Sequence, residues 1–129
     1  MVSIDYRNDE KEGCYVYTHG GENKTTYSPV EWALQCEELG AGEILLTSID
    51  LDGTCKGIDC QITRKVSNKI SIPLITSGGC GLAIHFSDAF IKGKADAVSA
   101  GTYFAFKDQN PMQTRSHIKN SGIPIRFHN

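Results

Sequence analysis

Glu43-Ile-Leu-Leu-Thr-Ser-Ile-Asp-Leu-Asp-Gly-Thr54 decides how this chain is read. The nearly unbroken apolar run from Ile44 to Leu46, with Ile49, suits a strand of a parallel sheet covered on both faces. Polar residues follow at once. Asp50, Asp52, Gly53 and Thr54 stand where the strand must end, and in α/β folds ligands are handled at the C-terminal ends of parallel strands. Gly53 lets backbone amides approach an anion, and Asp52 sets a carboxylate beside them. From this stretch alone, a plain loop in which Asp-Gly makes the turn reads equally well.

Upstream, Met1 to Tyr6 reads as a strand that begins at the first residue, with Asp5 near its C-terminal end, as if the chain were cut close to an element boundary. Arg7 to Gly13 reads as a loop and Cys14 to Thr18 as a second, minor strand. Ser28 is then an N-cap, Pro29 the first helical residue, and Glu31 completes a capping box. Val30, Ala33, Leu34, Cys36 and Leu39 give that helix a broad apolar stripe, with Trp32 in the core, and Gly40 stops it.

Downstream, Asp59 caps a helix that turns Ile62 and Val66 inward. Ile72 to Ser77 is a further strand, with Pro73 near its start, and it runs into Ser77-Gly-Gly-Cys-Gly81. A helix bearing Leu82, Phe86, Ala89 and Phe90 closes at Gly93, and Ala95 to Gly101 is a strand of small residues. Asn110-Pro111 opens a polar helix to about Asn120, which Gly122 ends. The pattern is strand-helix four times over, with a hairpin-like insertion after the first strand, in a single domain over residues 1–129. It predicts a parallel sheet with right-handed crossovers. Four units are too few to close a barrel. One sheet face, expected to carry Val2, Ile44, Leu46 and Ile75, and the edges at Met1–Tyr6 and Ala95–Gly101 would then lie open.

With 129 residues and 40% hydrophobic content, the chain can bury one core. A formal net charge of -2 gives no general drive toward nucleic acid or anionic membrane, so neither is expected as a partner and any anion site must be local. No apolar run approaches a membrane span and no secretory signal is visible, so a cytoplasmic protein is expected. Five cysteines at no metal-ligand spacing point to reduced thiols, not to disulfides or zinc. Cys80, in a glycine-rich loop expected to face a ligand, is the best placed of them to react.

Three strand ends carry glycine or small hydroxyl residues: Asp52-Gly53, Ser77-Gly78-Gly79 and Gly101-Thr102. Phosphate is held by backbone amides and by small side chains that leave the approach open, and barrel enzymes build such a site from their last two strand-helix loops. A bound phosphate or sulfate is therefore expected, with no other cofactor and no metal.

The motifs Val2-Ser-Ile-Asp5, Val16-Tyr-Thr-His-Gly-Gly21, Gly40-Ala-Gly-Glu-Ile-Leu-Leu-Thr-Ser-Ile-Asp50, Asp52-Gly-Thr54, Ile75-Thr-Ser-Gly-Gly-Cys-Gly81 and Ala95-Asp-Ala-Val98 resemble the cyclase subunit of imidazole glycerol phosphate synthase. The resemblance spans essentially the whole chain but only the second half of that family's eight-stranded barrel. It implies an α/β fold of the TIM type cut to a (βα)4 half-barrel. It implies that Asp5 is one of two catalytic aspartates. Asp52, also counted among the catalytic candidates, matches the surroundings of one of two phosphate sites, with Gly53, Gly79, Gly101 and Thr102, to which the glycine-loop reading adds the backbone of Gly78. Thr47, Asp50 and Ser77 would line the same mouth, and Glu43, at the opposite end of its strand, would belong to a charged gate for ammonia. Leu51 stands where the family usually carries arginine, Cys80 where it carries alanine, and Gly101-Thr102 where it carries Ala-Ser.

The family's reaction uses ammonia to cleave and cyclise a bisphosphorylated ribulosyl aminoimidazole intermediate. Two carboxylates suit it, because one serves as acid while the other serves as base. This chain holds one such aspartate and one phosphate anchor. The expected partners are a second copy completing eight strands or a first-half fragment, with a glutaminase subunit and a phosphorylated small-molecule substrate. Two alternatives stand beside the enzyme. One is a self-associating half-barrel that binds phosphate and catalyses nothing. The other is a relative acting on surface-polysaccharide sugars, toward which Leu51 and the tail from Lys107 to Arg126 lean.

Overall fold

The local sequence signals build their elements as chemistry requires. In the computed structural model, which describes residues 1–106 and 109–126, Ser28 Oγ accepts the Glu31 amide at 3.3 Å and the Glu31 carboxylate accepts the Ser28 amide at 2.9 Å. That box starts helix α1 (Pro29–Glu38), and Gly40, at φ 94°, turns the chain out of it. Asp59 accepts the Ile62 amide at 3.0 Å and starts α2 (Cys60–Ser67). Asn110 accepts the Met112 and Gln113 amides and starts α5 (Pro111–Asn120).

The remaining elements are β1 (Val2–Asp9), β2 (Gly13–Thr18), β3 (Asn23–Lys24), β4 (Ile44–Ser48), β5 (Leu74–Ser77), α3 (Ala83–Ile91), β6 (Ala97–Ser99) and α4 (Thr102–Ala105). One sheet contains all six strands in the order β3-β2-β1-β4-β5-β6. β1, β4, β5 and β6 run parallel, while β2 pairs antiparallel with both β1 and β3. The result is an α/β fold with a mostly parallel sheet. Among the described residues no helix is long and apolar enough to cross a membrane. Lys107 and Asp108, in the tail singled out above, lie outside the described residues.

Several expectations change besides that of Leu39, which was read into the apolar stripe of α1 and is 89% exposed. β1 continues to Asp9, because Arg7, Asn8 and Asp9 pair with Tyr15, Cys14 and Gly13 in an antiparallel ladder where a loop was expected. The sheet therefore ends at β3 on one side, and β1 is paired along Asp5–Asp9 by β2 and along Val2–Tyr6 by β4. The second change is a slip of one residue in which face points where. Ile44 and Leu46 are buried beneath the helices with Ile4, Tyr6, Ala33, Ile62, Val66 and Leu74, and Val2 packs against them. Each large side chain so buried contributes about 1.5–3 kcal/mol. The other face carries Ser3, Leu45, Ile75 and Ala97 in one registered row, so Ile75 alone of the four expected residues lies there.

Thirdly, Leu82 precedes α3 and is 54% exposed, and the left-handed turn after that helix falls on Lys94 at φ 56°. Gly93 is small for another reason, since a Cβ there would lie 2.6 Å from the Ala89 carbonyl oxygen. Lastly, Cys80 is buried in a second core cluster with Phe86, Tyr103 and Ile118, so its thiol is packed inside and closed to solvent.

Candidate functional site

Parallel pairing sets side chains of equal register in rows across the sheet. The row nearest the C-terminal ends of the strands, on the face away from the helices, is Asp5, Thr47, Ser77 and Ser99. All four are polar. Asp5, Thr47 and Ser77 are half-buried and Ser99 is exposed. Asp5 has a long contact from Ser3 Oγ, 3.5 Å away, and among the described residues no ion pair restrains it. Tyr17 of β2 is its antiparallel partner.

Arg7, two residues further on the same face, reaches Asp50 at 3.3 Å and lies 5.4 Å from the Tyr17 ring centroid. The Asp50 carboxylate also accepts the Asn8 amide at 2.8 Å, so it fastens the end of β1 to the loop after β4. Glu43 lies at the other end of the sheet, where its carbonyl accepts the Val2 amide at 3.0 Å. It is about 13 Å from Thr47 along the strand at the usual rise.

Asp52 and Gly53 are exposed in the turn after β4, where the Asp52 amide donates to Ser48 O at 3.0 Å. Gly53 sits at φ 75° with open space beside it. Gly78 and Gly79 are buried and packed against that turn. A Cβ on Gly78 would lie 2.6 Å from Ser48 O, and one on Gly79 would overlap Gly57 O. Gly57 in turn donates its amide to Gly79 O at 2.8 Å. These two glycines are thus demanded by the closeness of two loops, whatever else they do. Gly101 is the opposite case: exposed, at φ -95°, with open space where its Cβ would go. Thr102 begins α4 immediately after it.

The structure therefore brings Asp5, Thr47, Asp50, Asp52, Gly53, Ser77, Gly78, Gly79, Gly101 and Thr102 to one end of the sheet and leaves Glu43 at the other. Sequence reasoning missed Arg7, Tyr17 and Ser99. Arg7 was detectable, since it lies two residues beyond Asp5, whereas Ser99 needed the register of β6 against Ser77. Tyr17 needed the hairpin register. Also missed was His85, whose Nδ1 accepts the Gly81 amide at 3.1 Å and the Leu82 amide at 3.2 Å.

Behind the sheet, burial followed by the charge of Asp59 pushes the Tyr6 hydroxyl far above its usual range. The same two causes push the Cys14 thiol up to about 11. Among the described residues no cluster of His, Cys, Asp and Glu could hold a metal ion. A cavity of about 440 Å³ lies elsewhere, on the helix side beside the edge of β6, lined by Phe86, Phe90, Val98, Ile118 and Ile125.

Residues 1–110 match the family described as histidine biosynthesis protein. The chain is 50% identical over 127 residues to a protein of Prochlorococcus marinus named imidazole glycerol phosphate synthase subunit hisF2, covering 98% of this chain and 48% of that one. It is 47% identical over 127 residues to imidazole glycerol phosphate synthase subunit HisF of Geobacillus kaustophilus, covering 98% and 50%. The chain thus spans about half the length of the curated relatives it matches. Among solved structures, the Amycolatopsis orientalis BexX/CysO complex aligns with a TM-score of 0.56 at 21% identity, over 71% of this chain and 37% of that one, a likeness of fold alone.

Proposed function

This chain belongs to the histidine biosynthesis protein family, and from that premise we propose that it is the phosphate-binding half of a cyclase barrel of the imidazole glycerol phosphate synthase type, a (βα)4 unit that needs a second half to act. The observation that carries this reading is the polar row Asp5-Thr47-Ser77-Ser99, on the uncovered face and at the same strand ends as the three glycine-bearing loops. A carboxylate in that place can move a proton in a reaction occurring above the sheet, and Thr47 and Ser77 offer hydroxyls that orient a polyol phosphate. A phosphate would be received by the backbone around Gly79, Gly101 and Thr102, with Gly53 nearby. Of the carboxylates at this end, Asp50 is engaged by Arg7 and the Asn8 amide, Asp5 is the general acid or base, and Asp52 is the second candidate. Glu43, at the far end of the sheet, would stand where ammonia from a glutaminase subunit enters.

Self-association supplies the second half in this reading. The pairing of β1 with β2 begins only at Asp5, so Val2, Ser3 and Ile4 are hydrogen-bonded through β4 on one side, and β6 is an edge strand of three residues, Ala97–Ser99. Three residues on each edge match in length. Two copies about a two-fold axis would pair β6 of each with β1 of the other, close eight strands, and set the two Asp5 carboxylates across one mouth. The cavity beside β6 supports this, because a neighbouring strand and its side chains would fill it. An inert phosphate-binding dimer is the competing outcome.

The deciding assay supplies ammonia and the bisphosphorylated ribulosyl aminoimidazole to the chain alone and to the chain mixed with a first-half fragment. Cyclisation in the mixture that disappears with Asp5→Asn supports the enzyme. No turnover in either sample, with phosphate still bound, leaves the inert dimer.

A further inference from the structure

The loop from Gly78 to Leu82 has no Ser, Thr, Asp or Asn at the N-cap of α3, where Leu82 stands and offers no side-chain bond. Its orphan amides need an acceptor. His85 supplies one from inside the helix: Nδ1 accepts from Gly81 at 3.1 Å and from Leu82 at 3.2 Å. A ring nitrogen that receives two N–H groups must carry its lone pair, so the neutral ring has its proton on Nε2. The far side of the ring lies against Gly57, where a Cβ would come within 3.7 Å of Nε2. Gly57 itself is bonded to Gly79 O at 2.8 Å. One imidazole therefore touches both loops that close the mouth.

We propose that His85 is the positioning residue of the loop after β5, a neutral imidazole in the Nε2–H form that latches the Gly81 and Leu82 amides and is released by protonation. A proton on Nδ1 would turn the shared acceptor into a donor facing two donors, and both bonds would be lost. The link to ligand binding rests on reading this loop as a phosphate site. Among the ionisable groups around the ring, Asp88 on the same helix is bound to Lys92 at 2.8 Å. Lys56 adjoins Gly57, Cys55 lies against Gly81, and Asp59 and Cys60 stand at the start of α2. α5, with Arg115, His117 and Lys119, packs on the Phe86 side of α3.

The test is NMR of the whole chain beside two variants. His85→Asn keeps an acceptor oxygen in the place of Nδ1 and cannot be protonated there, while His85→Phe keeps a ring and offers no acceptor. In the wild type the neutral ring should report the Nε2–H tautomer. The Gly81 and Leu82 amides should be protected from exchange, and that protection, corrected for intrinsic rates, should fall in the same step in which His85 titrates. The Asn variant should hold both amides throughout. The Phe variant should hold neither, and it should bind sulfate, whose charge does not change over this range, about tenfold more weakly than the other two. A neutral ring protonated at Nδ1, or amides indifferent to the titration and to the Asn variant, overturns the proposal. These two readouts decide it even if the Phe variant fails to fold. If sulfate fails to bind the wild type while the amides behave as stated, the phosphate reading of the loop falls and the latch stands.

Discussion

Asp5 and Thr47 are paired across the β1–β4 ladder, one residue short of its C-terminal end and on the face away from the described helices. A carboxylate needed for folding would be expected to cap a helix or hold an ion pair. Among the described residues, the Asp5 carboxylate has the 3.5 Å contact from Ser3 and no ion pair. Asp5→Asn should therefore shift the melting temperature by no more than about 3 °C. In a completed barrel it should lower cyclisation by about a hundredfold or more. A variant that loses several kcal/mol of stability would assign Asp5 to the fold instead.

The glycines of the mouth divide by packing, and the division can be measured. Gly78→Ala must push a methyl group against Ser48 O, 2.6 Å away, at φ 93°, and should cost about 3 kcal/mol or leave the chain unfolded. Gly79→Val would fail for the same reason and cannot probe phosphate binding cleanly. Gly101→Val meets open space at φ -95°, so denaturant titration should show wild-type stability. Calorimetry with phosphate should nonetheless show weakened binding, because the new side chain stands in the anion's approach. Undiminished binding by Gly101→Val would remove Gly101 from the site.

Asp50 was expected to line the mouth, and its carboxylate is committed to β1 through the Asn8 amide at 2.8 Å and Arg7 at 3.3 Å. Asp50→Ala should cost about 1 kcal/mol, as for a lost charge-assisted bond to a backbone amide. It should also loosen the hairpin, seen as faster amide exchange at Asn8. Wild-type exchange there would show that the bond does not hold in solution.

Alkaline stability should depend on Cys14 and Tyr6. Burial first, then Asp59, raises the Cys14 thiol from 9.0 to about 11, and the Tyr6 hydroxyl moves in the same direction. Both groups ionise more readily in the unfolded chain. Cys14 therefore contributes stability that is whole below 9.0 and is lost as pH rises toward about 11. Denaturant titrations across that interval should show a decline, and Cys14→Ala should flatten it. A decline of equal steepness in the variant would exclude Cys14 as its source.

What the sequence made legible was local. Ser28, Asp59 and Asn110 announce helix starts because each has its partner amide two or three residues away, and all three cap as read. Which face Ile44 and Leu46 occupy was not legible, because an unbroken apolar run carries no alternation. Arg7 to Asp9 are polar enough to pass for a loop, and their place in a strand comes from the hairpin partner at Gly13–Tyr15. The crowding around Gly78 and Gly79 depends on Ser48 and Gly57, about 20–30 residues away, a separation no local pattern records. That the candidate residues of β1, β4, β5 and β6 share one end of the sheet follows from topology alone, because parallel strands deliver their C-terminal ends to one side.

Sedimentation equilibrium at micromolar concentration tests the central claim most directly, that this is half of a barrel and closes on a second copy. The account predicts a folded species at twice 14.1 kDa, with β6 of each copy paired to Val2–Ile4 of the other. It further predicts that Ser3→Pro, which removes a backbone donor from the proposed seam, weakens the dimer at least as much as it weakens the fold. A well-folded species at 14.1 kDa with no tendency to associate would contradict it.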